Sequence, residues 1–198
     1  MRNLLFLFLL FSMIVSACNN NKKPGDVTVV SEDGEQKTTM NLSDMEKRNE
    51  EMQKQAQDLQ NLTPVSMDEL KAMLPEELMG AKRARMQATT AAGTGMATAQ
   101  YDVNDSTELR VSIWDCGGPG GAGMFSLQYM TLFNYEADSE DEYTKTIEFD
   151  GKRGIEQCSK VEKDCKLTYF GGKRFLVTLE GENIGIDELK QVSKQIAN

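Results

Sequence analysis

The chain of 198 residues contains no histidine at all. That removes the ordinary general base near neutral pH, the Ser-His and Cys-His nucleophile pairs, and the commonest ligand for zinc and copper. Hydrolases of the triad type are excluded, and what chemistry remains would have to run on carboxylates or thiols. Basic charge is also short: 22 Lys and Arg stand against 31 Asp and Glu, a formal charge of -9. An acidic body has no electrostatic reason to bind phosphate backbones, so nucleic acid is not an expected partner. No apolar run reaches the ~20 residues that a membrane-spanning helix needs. With only four cysteines, a disulfide-dense scaffold is excluded as well.

What is present begins at the amino terminus. Arg2 precedes an apolar stretch from Leu4 to Val15, broken only by Ser12, and Ser16-Ala17 lead into Cys18. This layout is that of a secretory signal over residues 1–17. The tetrad Val15-Ser16-Ala17-Cys18 resembles the lipobox of bacterial prolipoproteins. The resemblance implies cleavage before Cys18, a diacylglycerol on its sulfur, an acylated amino terminus, and hence a membrane partner reached through Cys18. Each buried methylene contributes ~0.8 kcal/mol, so several acyl chains hold a chain to a bilayer almost permanently. Loss of Arg2, the only charged residue of the leader, would take the net charge from -9 to -10. No acidic pair follows Cys18, which favours a periplasm-facing cell-envelope location.

Residues 18–42 are polar and turn-rich, with Val27, Val29 and Val30 as the only apolar cluster, and read as a flexible tether. Ser43-Asp44-Met45-Glu46 has the form of a capping box opening a polar helix over 43–62, with a thin seam of Met45, Met52, Ala56, Leu59 and Leu62. Such a seam suits a helix lying on the domain better than a coiled coil. The domain proper is expected over 66–198. Ser66-Met67-Asp68-Glu69 is a second capping box, and Leu70, Met73 and Leu74 share a face behind it. From Lys82 the apolar period changes to two and continues, with one helical interruption, to Leu179; a closing helix with Asp187 as its cap carries Leu189, Val192 and Ile196. The expected fold is α+β: a curved antiparallel sheet of about six strands with helices packed on one face.

Three features invite a functional reading. Gly118-Pro119-Gly120-Gly121-Ala122-Gly123 satisfies the dinucleotide fingerprint G-x-G-x-x-G. The strand before it alternates polar with apolar and no further βα unit follows, so a flexible strand-to-helix connection is expected instead, and no cofactor. The acidic run from Glu136 to Glu142 lacks the glycine and spaced last glutamate of a calcium loop; no metal site is expected there. The helix expected over Met124–Phe133 is apolar nearly all round. Its Met124, Phe125, Tyr129 and Phe133 form a candidate patch for a partner protein or an apolar ligand, unless another helix covers it.

With Cys18 lipidated, three cysteines remain and allow three single pairings. Cys158 and Cys165 flank a turn symmetrically, so a disulfide between them across two strands is the chosen pairing. Cys116 is then a small buried hydrophobe or a reactive thiol. The run Leu74-Pro75-Glu76-Glu77-Leu78-Met79-Gly80, followed by strands, resembles the opening of the folded domain in small envelope lipoproteins, and distantly Mog1/PsbP-type α+β modules. That likeness implies a fold and transfers no site. The functional expectation is a lipid-anchored, non-catalytic binding or structural module. Its alternative is an envelope enzyme or redox protein using Cys116 and the Gly117–Gly123 loop, with or without a metal.

Overall fold

A computed structural model describes residues 26–30, 37–131 and 135–196. In chain order these form β1 (Asp26–Val30), β2 (Lys37–Asn41), α1 (Leu42–Gln60), α2 (Met67–Ala72), β3 (Glu77–Leu78), β4 (Ala81–Ala91), β5 (Thr94–Asn104) and β6 (Thr107–Asp115). There follow α3 (Gly118–Thr131), β7 (Glu136–Asp138), β8 (Glu142–Phe149), β9 (Lys152–Ser159), β10 (Cys165–Gly171), β11 (Phe175–Glu182) and α4 (Ile186–Ser193). Among the described residues no helix is long and apolar enough to cross a membrane.

The sheet is larger than the six strands expected from sequence. Nine strands join in the order β3-β4-β5-β6-β11-β10-β9-β8-β7, and every neighbouring pair is antiparallel. Two meanders, one before α3 and one after it, meet where β6 pairs with β11. Strand dominates and the helices are minor. β3 and β7, of two and three residues, are too short to show a period, and β7 falls inside the acidic run from Glu136 to Glu142. Part of the expected tether is also strand, since β1 pairs antiparallel with β2 from Asp26 opposite Asn41 to Val30 opposite Lys37.

Helices lie on both faces, not one. On the first face α2 and α4 cover a core that includes Leu70, Leu74, Tyr101, Ile113, Val177, Leu179, Leu189 and Ile196. Burying each large side chain of this kind is worth ~1.5–3 kcal/mol. The two buried tyrosines keep their hydroxyls satisfied: Tyr101 Oη donates to Pro75 O at 2.6 Å and Tyr169 Oη to Ser193 O at 3.3 Å. Ser66 and Glu69 form the expected capping box at α2, Glu69 N donating to Ser66 Oγ and Ser66 N to Glu69 Oε2. At α4 the cap lies two residues earlier than expected: Gly185 is the N-cap, its N–H donating to Glu188 Oε2, and Asp187 stands in the first turn. The buried Glu156 fastens this layer, with Lys145 Nζ and Lys190 Nζ each 3.1 Å from its carboxylate.

The second face differs along its length. Successive strand residues point to opposite faces, so Trp114, Leu176 and Phe170, neighbours of Ile113, Val177 and Tyr169, stand opposite the main core. They pack with Leu59, Met52 and Ala56 of α1, with Phe125 and Ala122 of α3, and with Cys116. α1 therefore lies on the domain against α3, as its thin seam suggests, with Gln55 Nε2 donating to Lys173 O at 2.8 Å. Leu62, expected in that seam, falls past the end of α1 and is exposed.

Candidate functional site

The glycine segment does not form a flexible loop. α3 begins at Gly118, so the fingerprint residues are its first turn and a half. Gly118 has φ +83°, a conformation that favours glycine, and a Cβ there would lie 2.6 Å from Gly93 O. On Gly121 a Cβ would come within 2.5 Å of the carbonyl carbon of Cys116 and 2.6 Å of Asp115 O, and on Gly120 it would overlap the carbonyl of Ala92. Gly118, Gly120 and Gly121 thus let the chain pack closely on its own backbone.

Beside them sits a polar hub. Asp115 ends β6 fully buried, in phase with Leu109, Val111 and Ile113. Its Oδ1 accepts from Arg174 Nε at 2.7 Å and Gly117 N at 2.9 Å; its Oδ2 accepts from Arg174 Nη2 at 3.0 Å and Val65 N at 2.8 Å. Burial alone would raise this carboxyl. The hydrogen bonds from Arg174, Val65 and Gly117 outweigh it and hold the group below its ordinary value. Arg174 is raised in turn, chiefly by its hydrogen bond to Asp115, and its Nη2 also donates to Thr63 O at 2.7 Å. The hub ties the entry to α2, the end of β6 and the β10–β11 hairpin together. Its guanidinium lies over Gly117, where a Cβ would meet Arg174 Nη2 at 2.7 Å. The turn of the β10–β11 hairpin falls on Gly172 and Lys173, with φ of +55° and +58°, and this brings Arg174 to Asp115.

Cys116 is completely buried, and that burial pushes its thiol up to about 12. A thiol in that state is neither ionised nor reachable near neutral pH. Cys158 and Cys165 face each other across β9 and β10 and are joined as a disulfide. Of the candidate patch, Phe125 is buried with its ring 4.9 Å from that of Phe170, and Met124 is half-buried. The Tyr129 side chain and all of Phe133 lie outside the described residues, as does Cys18. The acidic run supplies β7 and its turn, with Lys160 paired to Asp138. Among the described residues, no three acidic or cysteine side chains converge as a cation's ligands would.

The rest of the second sheet face is polar and organised in rows by the strand register. Under α1 and α3 runs an apolar row of Met96, Trp114, Leu176 and Phe170. Next comes a row of hydroxyls, Thr98, Ser112, Thr178 and Thr168, one from each of β5, β6, β11 and β10; Thr98 bonds Ser112 and Thr168 bonds Thr178, both at 3.3 Å. A charged row follows: Gln100, Arg110, Glu180, Lys166 and Gln157. Lys166 Nζ is 2.9 Å and Arg110 Nη1 3.7 Å from Glu180. Last is an acidic row of Asp102, Glu108 and Glu182. The charged and acidic rows border an open depression of ≈ 390 Å³, lined by five acids (Glu108, Glu142, Asp164, Glu180, Glu182) and two bases (Arg110, Lys166). Ion pairs this exposed contribute ~0–1 kcal/mol each and exchange partners readily. The face can receive a basic, hydrogen-bonding surface.

Sequence reasoning missed the hub and the rows. An aspartate in phase with three buried aliphatics was the available signal for Asp115. Nothing local marked Arg174. Comparisons with protein-family models, with curated proteins and with solved structures find no match, so function has to be read from the chain's own residues.

Proposed function

We propose that this protein is a lipid-anchored, periplasm-facing cell-envelope module, held through Cys18, that works by binding and not by catalysis. Its ligand is a protein surface bearing basic groups, received on the charged and acidic rows. The observation that carries this reading is the acid-rich depression on the part of the second sheet face that α1 and α3 leave open. The features that favoured an enzyme point the other way, because the thiol is buried and the glycines are filled by the protein's own backbone. An apolar ligand at α3 is disfavoured too, since α1 packs there.

The test has two arms. Cells fed a labelled fatty acid should label the wild-type chain and not a Cys18→Ala variant, which should leave the membrane fraction; equal labelling of both would refute the anchor. A photo-crosslinking residue at Gln157 should give one discrete adduct, which Glu108→Lys with Glu182→Lys abolishes. No adduct, or one indifferent to those charges, would refute the binding face.

A further inference from the structure

The two edges of the nine-stranded sheet are treated differently. One edge is β7, three residues long and carrying Glu136 and Asp138, so it is both short and charged. The other begins with β3, which covers only the start of β4: Glu77 faces Lys82, Leu78 faces Ala81, and Arg83 N donates to Glu76 O at 2.9 Å. Past Arg83, no strand among the described residues pairs with the outer side of β4. A bulge sits between Arg83 and Arg85. From Met86 to Ala91 the strand reads Met-Gln-Ala-Thr-Thr-Ala, with no charge, no proline and no further bulge, and five of the six residues are exposed. Proteins guard free edges with charge, proline, bulges or brevity, because the outward N–H and C=O groups are a template for another strand. This stretch has none of those guards.

We infer that β4 pairs antiparallel with β4 of a second copy of this chain, across a two-fold axis at Ala88, the midpoint of the free stretch Arg85–Ala91. A second copy is the occupant that the charges fit. In a chain of net charge -9, this edge is a neutral strip. Antiparallel self-pairing about Ala88 sets Gln87 against Thr89 and Met86 against Thr90, and it sends each Arg85 to the Ala91 end of the other strand. No like charges meet, and the contact is isologous and closed. The charged and acidic rows stay free in both copies, so the pairing is independent of the binding proposed for them.

The experiment uses the full chain in detergent, with its mass measured by light scattering. The wild type should have the mass of two chains. Gln87→Lys combined with Thr89→Lys sets lysine against lysine twice across the axis, and should weaken the dimer at least tenfold with an unchanged circular dichroism spectrum. Ala88→Cys should be linked into a dimer by a short bis-maleimide, its other cysteines being buried, lipidated or in a disulfide. A wild-type monomer at every concentration, a dimer indifferent to both lysines, or Ala88→Cys linking only to a different protein would overturn the proposal.

Discussion

Arg174 lays its guanidinium across the carboxylate of Asp115, Nε on Oδ1 and Nη2 on Oδ2, from 59 positions further along the chain. Val65 and Gly117 fill the remaining acceptor positions. Removing one partner of a buried ion pair strands the other. Asp115→Asn should therefore lower unfolding stability by ~3–5 kcal/mol, read from urea midpoints, while the isosteric amide preserves the volume. An unchanged midpoint would mean the hub does not fasten the fold.

The same pair sets an acid response. Asp115 titrates below its ordinary 3.8 when folded, so between the two values the unfolded chain binds more protons than the folded one. The stabilisation is complete above the unfolded value and is lost as pH falls through the folded one. Urea titrations at successively lower pH should show the wild type losing stability in that acid range, and Asp115→Asn losing distinctly less.

Glycine substitutions along α3 should separate packing from flexibility. Gly121→Ala places a methyl into the Asp115–Cys116 backbone, which cannot move without the hub, and should cost ~2–4 kcal/mol or prevent folding. Gly123 meets nothing within 4 Å. Gly123→Ala should stabilise by ~0.5–1 kcal/mol, the ordinary helix preference. Thermal melts of the two variants check both signs.

Thiol chemistry should be silent until the chain unfolds. The native protein should take up no maleimide at pH 8, whereas unfolding without reductant should expose one thiol, Cys116. Replacing Cys158 and Cys165 by serine should cost ~2–3 kcal/mol, the loop-closure entropy of a short ring. Mass spectrometry counts the adducts. Rapid native labelling would restore the case for a reactive Cys116.

How much of this was legible depended on range. The Ser66–Glu69 box, the α4 stripe and the Cys158–Cys165 pairing are set by residues within a few positions of one another, and local chemistry suffices for them. The second layer of helices was not legible, because Arg110 and Ser112 made the alternate face of β6 look solvated throughout. Only the register shows that Trp114 lines up with Leu176 and Phe170 to make one end of that face apolar. Asp115 was visible as an anomaly in a buried phase, but its explanation lay 59 residues away. The charged row exists only once five strands are laid side by side.

The docking of α1 has a mechanical corollary. Tension drawn on the amino-terminal side reaches the sheet through α1, whose grip is Leu59, Met52, Ala56 and the Gln55 hydrogen bond, and then through the clasp of Val65 and Thr63 on Asp115 and Arg174. α1 is the first of the two fastenings along the chain. A pull would peel it away first and bare Phe125 and Trp114, while the nine strands stayed intact behind the clasp.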